Sequence, residues 1–442
     1  KLGKDDDEPE YSRASWIAMI FSAGMGIGLL FYGVSEPISH MVDPPFGEGG
    51  TPESAKIGLE HTYLNWGVHA WAIYGVVALI LAYFRFRKDV PSLMSATLQP
   101  ILGDRVKGSI GNVVDIVAIF ATVFGVAASL GLGAAPINGG LSYLTGIPNE
   151  FWIQLIIIVV TTFLFILSAS TGINKGIKYL SNFNMGLAVL LFIVFLFIGP
   201  MQFVIEMVTS TFGGYLQNLP SMSFRMAPFN AENAEWLQNW TIFFFAWWIA
   251  WAPFVGTFIA RISKGRTIRE FIIVVMLIPT AVCILWFGVF GSTGIYFDLY
   301  QGTNIAGESL ETALFATFNQ LPISGVLSVI ALFMITIFFI TSADSAVFVL
   351  GMQTTYGGLN PPNFVKISWG VFLAASAIIL MWRGGLSGLQ TAIIVSALPL
   401  TIILLFMVFS LLRELKQEPV HEMRLERLLK KRAKQKKKLK LE

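Results

Sequence analysis

Apolar residues gather in ten stretches of similar length, separated by short polar loops. They cover 14–34, 62–84, 113–135, 151–169 and 180–199, then 237–260, 271–291, 321–340, 364–382 and 389–412. Each approaches the roughly 20 residues that carry a helix across a bilayer core. Lipid offers the backbone no hydrogen-bond partner, so each stretch is predicted to be a helix. No run alternates apolar and polar residues as the strands of a membrane barrel do. Composition agrees: 55% of residues are hydrophobic and 13% charged, against about 25% charged in soluble proteins. The chain reads as an all-α multi-pass membrane protein. It begins at Lys1 rather than Met and shows no signal-peptide pattern, so a longer natural N-terminus is expected.

The loops set orientation. Arg85, Arg87, Lys88, Arg105 and Lys107 follow the second stretch, Lys175 and Lys178 the fourth, and Arg261, Lys264, Arg266 and Arg269 the sixth. Loops after odd-numbered stretches hold Lys56, Arg225 and Arg383, with acidic residues such as Glu36, Asp43, Glu48, Glu53, Asp298, Glu308 and Glu311. Lys and Arg favour the cytoplasmic side, which puts both termini there, in the cell membrane. The net charge of +3 hides an asymmetry. Residues 413–442 carry twelve basic and five acidic side chains, leaving 18 basic and 22 acidic for the rest. A basic tail on a membrane body suits an anionic leaflet rather than nucleic acid. The chain then divides into a cytoplasmic N-terminal segment, 1–13, a membrane core, 14–412, and the basic tail, 413–442. Between the two sets of five stretches, 201–222 has apolar residues at helical spacing interrupted by Glu206, Gln217 and Asn218. It reads equally as an amphipathic helix on the outer side or as an ordered loop.

Candidate chemistry centres on Trp240-Thr-Ile-Phe-Phe-Phe-Ala-Trp-Trp-Ile-Ala-Trp-Ala-Pro-Phe254 in the sixth stretch. Trp247, Trp248 and Trp251 share a helix side near mid-membrane, and Pro253 is expected to bend the helix. Indole faces attract cations, quaternary ammonium among them. An interfacial aromatic belt is the competing explanation, but belts sit at helix ends. In the second stretch, Trp71 and Tyr74 share a side and Trp66 lies nearer the outer end. Together with the three tryptophans they could box an ammonium group. Packing explains any one of them taken alone. His69 reads as a hydrogen-bonded core histidine.

Ser22-Ala-Gly-Met-Gly-Ile-Gly28 interrupts the first stretch with three glycines. Broken helices of this kind aim backbone amides at substrate carboxylates, although Gly24-xxx-Gly28 also suits plain helix packing. The glycines open the first five stretches as the Trp/Pro run opens the second five. Corresponding interruptions in two halves point to a site between inverted repeats. Ionisable residues in the spans are Glu36, Asp115 and Asp344, all placed near segment ends. With no carboxylate expected at mid-membrane, a zwitterion fits better than a bare cation. Thr341 and Ser342, in Phe338-Phe-Ile-Thr-Ser-Ala-Asp-Ser345, are read as ending the eighth helix. Their hydroxyls could join unwound carbonyls around Na⁺, or bond the preceding helical turn. The single cysteine, Cys283, excludes an internal disulfide, and no Cys/His metal spacing is present. No nucleophile-elbow pattern supports a hydrolase. No enzymatic activity and no organic cofactor are expected.

These motifs, spanning about residues 9–412, resemble the betaine/choline/carnitine transporter family, and most of all its bacterial sodium-coupled glycine betaine symporters. The resemblance implies ten membrane helices in two inverted five-helix repeats, 14–199 and 237–412, joined by an outer segment at 200–236. It also implies a homotrimer with the 201–222 segment at the contact, and two helices preceding the core. It maps the substrate box onto Trp66, Trp71, Tyr74 and Trp248, flanked by Trp247 and Trp251, with further contacts at Ala23, Gly24 and Met25. One sodium site maps onto Ser22, Met25, Phe338, Thr341 and Ser342. A second maps onto Thr122 and Phe254, where Val126 replaces a threonine of the pattern. The implied function is Na⁺-driven import of glycine betaine or a related trimethylammonium solute for osmotic protection, with the tail in osmotic regulation. A sodium-independent exchanger of carnitine-like solutes is one alternative. A channel or osmosensor is the other, and no continuous polar pore lining favours it.

Overall fold

The computed structural model describes residues 1–24, 26–171, 174–358 and 360–418, with 21–24, 171 and 174–178 described for the backbone alone. All regular structure among these residues is helical. Helices α1 (Arg13–Gly24) and α2 (Ile27–Val42) divide the first apolar stretch, and α3 (Pro52–Trp66) and α4 (Val68–Ala82) form the second. After the short α5 (Gln99–Leu102) come α6 (Ser109–Thr145), α7 (Phe151–Thr171) and α8 (Asn174–Ile198). The second half holds α9 (Met201–Ser223), α10 (Ala231–Leu237), α11 (Phe243–Ile262), α12 (Ile268–Gln301), α13 (Ala313–Asn319), α14 (Ser324–Thr354) and α15 (Asn363–Lys416). Among the described residues, eight helices are long and apolar enough to cross a membrane.

The ten expected stretches and these eight helices differ for identifiable reasons. The first stretch is split, and neither piece alone reaches spanning length. The last two stretches fall in the 54 residues of α15. At 1.5 Å per residue a straight helix of that length reaches about 80 Å, well beyond a hydrocarbon core of about 30 Å. It is broken at Gly385, whose φ of 54° and ψ of −142° only glycine adopts without strain. Pro253, expected to bend its helix, lies inside α11, which continues through it as one element. The irregular turn is instead a π-helical one at Gln238–Ile242, between α10 and α11.

Burial separates core from periphery. In the 52–87 helix 72% of the most apolar window is buried and in the 231–262 helix 67%, against 17% in 151–170 and 22% in 179–198. Lipid is as apolar as leucine, so outward bulk costs nothing there. Phe163 of α7 and Phe183 and Phe197 of α8 all face outward. The inner helices α3, α4 and α11 are the ones rich in Trp and Tyr. The 201–222 segment is a helix, not a loop. Val204, Met207, Thr211, Tyr215 and Met222 form its buried stripe. It packs on α3 and α12, where Thr211 Oγ1 donates to the Tyr63 hydroxyl (3.2 Å) and Asn218 Nδ2 to Glu60 Oε2 (2.9 Å).

The polar N-terminal segment is fastened to one face. Leu2 is fully buried; its amide donates to Arg266 O (2.8 Å), and the Gly265 amide donates to Leu2 O (2.7 Å). A Cβ on Gly265, with φ +80°, would lie 2.5 Å from the Glu8 carbonyl, so only glycine lets the strap lie flat. On the same face Arg87 bridges Asp5 (2.8 Å) and Glu418 (2.9 Å), while Lys88 pairs with Glu414 (2.8 Å). Tyr83 Oη also donates to Glu418 (2.8 Å). The Arg87 guanidinium holds the Glu418 carboxyl down to about 2 from an ordinary 4.5. A depressed carboxylate stabilises the fold above its unfolded value, so this contribution is complete above pH of about 4.5. It fades as pH falls from there toward about 2. Glu418→Gln should therefore loosen the end of α15 at neutral pH. Charge-assisted bonds of about 1.5–3 kcal/mol predict roughly tenfold or faster amide exchange near 410–418. Hydrogen-exchange mass spectrometry in detergent checks this, and unchanged rates would reduce the cluster to a surface ornament. The basic tail beyond Glu418 lies outside the described residues, so a truncation meant to remove the tail alone begins at residue 419.

Candidate functional site

Helices α3, α4 and α11 bring the predicted aromatic residues together. Trp66 meets Trp248 edge-on at 4.9 Å between centroids, Tyr74 meets Trp248 at 6.0 Å, and Trp71 meets Tyr74 at 5.6 Å. All four are buried. Trp248 Nε1 donates to Asn65 O (2.7 Å), which fixes its ring across the α3–α11 seam. The other two indoles are tied to α6. Trp247 Nε1 donates to Ser129 Oγ (3.1 Å) and Trp251 Nε1 to Gly125 O (3.0 Å). A Cβ on Gly125 would sit 3.0 Å from the Trp251 ring, so a bare backbone lets it dock. Trp248 thus contacts both Trp66 and Tyr74, while Trp247 reaches only Trp66 of the two, at 6.3 Å, and Trp251 docks on α6. Trp247 and Trp248 lie parallel, 5.2 Å apart.

The interruption of the first stretch faces this cluster. Gly26, extended at φ −146° and ψ −174°, precedes α2 without a side-chain cap. In the first turn of α2 the Leu29 amide donates to Gly26 O (3.2 Å), and the helix dipole favours an anion there. Gly28, in that turn, comes so close to Trp66 that a Cβ would lie 2.5 Å from the ring, and 3.5 Å from Trp247. A helix N-terminus and a cluster of indole rings, groups of the kinds that suit an anion and a cation, are therefore adjacent. Ser22, Ala23 and Gly24 are described for the backbone alone and Met25 lies outside the described residues, so their part in the site rests on sequence.

The expected placement of ionisable residues near segment ends is corrected for two of them, since Asp344 lies inside α14 and Glu36 inside the packed core. Glu36 is not at a segment end, because α2 continues to Val42 and α3 covers it. It is fully buried. Its Oε2 accepts from Trp66 Nε1 (2.7 Å) and its Oε1 from Asn65 Nδ2 (2.8 Å), with His40 Nε2 at 3.3 Å. A carboxyl group thus sits directly behind the box, engaged with the N–H groups that orient it. Sequence reasoning also missed Tyr32 and Phe244, which pack on Trp66 at 6.0 and 5.4 Å. Tyr32 is one helical turn after Gly28 and Phe244 one turn before Trp248, a spacing that carries the signal. His69 is hydrogen-bonded as expected, to Ser223 Oγ at 3.0 Å, and stacks on Phe245.

The candidate ion positions are mixed. The eighth stretch does not end at Thr341 and Ser342; α14 runs on to Thr354. Thr341 Oγ1 donates to Ile337 O (2.9 Å), the bond to the preceding turn, and no unwound carbonyl is present at 341–345. Its lone pairs stay free to accept a cation. Phe338 is buried one turn earlier. Thr122, fully buried, donates to Ala118 O (2.8 Å). Phe254 packs edge-on to Trp251 at 5.4 Å. Val126 is buried in apolar surroundings.

The betaine/carnitine/choline family transporter model matches residues 1–420. The chain belongs to this family. A glycine betaine transporter of Bacillus subtilis, OpuD, is 54% identical over 419 residues, covering 95% of this chain and 82% of that protein. An ectoine/hydroxyectoine transporter of Virgibacillus pantothenticus is 43% identical, covering 94% and 83%. Among solved structures, a Na⁺-coupled sialic acid symporter, bound to substrate and open outward, superposes with a TM-score of 0.56 at 17% identity. It covers 91% of this chain and 82% of its own. That likeness supports the fold. As a member of the betaine/carnitine/choline family, this chain is a multi-pass membrane transporter and not an enzyme.

Proposed function

We propose that this transporter imports glycine betaine, or a closely related trimethylammonium zwitterion, together with Na⁺ as coupling ion, for osmotic protection. The observation that carries the reading is the adjacency of the α2 N-terminus to the Trp66–Trp248–Tyr74–Trp71 rings. The rings take the ammonium face and the backbone amides the carboxylate, so both charges of the solute are matched without a free ion. The name of the B. subtilis relative supports the substrate. Na⁺ would be held by Thr341, Ser342 and Phe338 with Ser22 and Met25, and a second ion by Thr122 and Phe254. In this reading the split α1–α2 and the two halves of α15 each cross the bilayer. The core is then ten helices in two inverted repeats, 14–199 and 237–412, within a homotrimer whose termini face the cytoplasm. The tail would rest on anionic lipid.

Uptake of labelled glycine betaine into right-side-out vesicles tests it. Accumulation driven by an inward Na⁺ gradient is the expected result. Exchange independent of Na⁺ would favour a carnitine-type exchanger, and stronger competition by ectoine than by betaine would reassign the solute. Thr341→Ala combined with Ser342→Ala should raise the Na⁺ concentration for half-maximal uptake roughly tenfold, and weaken betaine with it through linkage. An unaltered Na⁺ curve would leave these hydroxyls only their bonds to the preceding turn.

A further inference from the structure

Helices α6, α11 and α14 converge on a void of about 10 Å³ near the face that carries the Arg87 cluster. Asp115 and Ala118 of α6, Thr257 of α11 and Gln353 of α14 line it, and Ser92, Leu93 and Met94 of the connecting loop close it. That volume is about the minimum for one water molecule, so it admits a single small ion and excludes an organic solute. Its polar groups are oxygen donors of three kinds. Asp115 is held in place by the Ser95 amide (2.9 Å to Oδ1) and hydroxyl (2.6 Å to Oδ2), which leave lone pairs on both carboxyl oxygens. Thr257 Oγ1 donates to Pro253 O (2.6 Å) and can still accept. Gln353 Oε1 is buried and accepts no hydrogen bond in the structure. Among the described residues no group of three His, Cys, Asp or Glu could hold a metal ion. A single carboxyl with neutral oxygens suits a monovalent hard cation rather than a divalent one.

The position of the void gives it a role. Asp115 lies seven residues from Thr122, two turns and about 10 Å along the same face of α6. Thr257 lies three residues beyond Phe254 on α11, and Gln353 three turns beyond Thr341 and Ser342 on α14. The three helices that carry the candidate ion positions thus continue into the void on their way to the cytoplasmic face. We propose that Asp115, Thr257 and Gln353 form a further cation site, a waypoint at which the coupling Na⁺ stops between its transport site and the cytoplasm. This rests on the sodium-symport reading above. A waypoint must bind weakly enough to release, and one carboxyl with two neutral oxygens meets that condition better than a closed cage.

The competing role for Asp115 is to anchor the loop through Ser95, and the test separates the two. Proteoliposomes holding the parent, Asp115→Asn, Gln353→Leu or Ser95→Ala would take up labelled glycine betaine at fixed external Na⁺ while internal Na⁺ is raised. Asp115→Asn and Gln353→Leu should each need about fivefold more internal Na⁺ for half-inhibition, within the usual range of site coupling, and keep their external Na⁺ dependence. Gln353→Leu carries the test alone if Asp115→Asn fails to fold. Internal Na⁺ curves matching the parent would overturn the waypoint while leaving Na⁺-driven uptake intact. The same shift in Ser95→Ala would overturn it in favour of the anchor. A parent that ignores the Na⁺ gradient would overturn the coupling reading, and the waypoint with it.

Discussion

Trp248→Leu should raise the Kd for glycine betaine roughly ten- to thirtyfold. Trp248 is the one indole of the 247–251 run that reaches both Trp66 and Tyr74, and its N–H is fixed on Asn65 O. Removing a desolvated π face costs about 1–2 kcal/mol of cation binding, and each 1.4 kcal/mol is tenfold in Kd. Leucine keeps the site apolar, so the change isolates the face from simple burial. Calorimetric titration of the purified protein measures it. Trp251→Leu supplies the contrast: tied to α6, it should shift Kd far less. Equal affinity in parent and Trp248→Leu would dissolve the box.

Glu36→Ala should destabilise the protein and weaken substrate binding together. The substitution strands two buried donors, Trp66 Nε1 and Asn65 Nδ2, each now 2.7–2.8 Å from a carboxyl oxygen. An unsatisfied buried donor costs about 1–3 kcal/mol, so the pair predicts a loss of about 2–6 kcal/mol. Glu36→Gln keeps one acceptor and should recover part of it. Cys283 offers a direct readout, since it is buried in the folded chain and a thiol-reactive dye reaches it only on unfolding. An Ala variant that melts with the parent would show that Trp66 is oriented by packing alone. Normal stability with weakened binding would assign Glu36 to the solute rather than to the indole.

Much of this was legible in the sequence because lipid leaves the backbone few choices. Apolar length alone predicts helices over 151–169 and 271–291, where α7 and α12 lie, whereas periodicity leaves 201–222 equally readable as a helix or a loop, and only the structure shows α9 there. The aromatic cluster was legible because Trp66, Trp71 and Tyr74 lie in one short motif and Trp247, Trp248 and Trp251 in another, each at helical spacing. Glu36 was not, for a definite reason. Its local surroundings, a polar Ser35 and a Pro37, look like a helix end. Its burial comes from residues 29 and 30 positions later that fold over it, and no local pattern encodes that cover. Thr341 and Ser342 misled in the opposite sense. Two hydroxyls followed by an Asp resemble a terminus, but Thr341 satisfies its hydroxyl on Ile337 O, and α14 continues.

The parallel pair Trp247 and Trp248 has an optical consequence. Two indoles with centroids 5.2 Å apart and planes inclined by 11° bring their transition dipoles close enough to couple. Such a pair absorbs as a coupled chromophore rather than as two independent ones. In the proposed reading Trp248 borders the solute, while Trp247 is fastened to α6 through Ser129. Any rearrangement that moves α11 against α6, or any charge brought against the Trp248 ring, changes the coupling. The transporter therefore carries an intrinsic, label-free spectroscopic reporter at the site proposed for its cargo, readable in the near-ultraviolet without altering a residue.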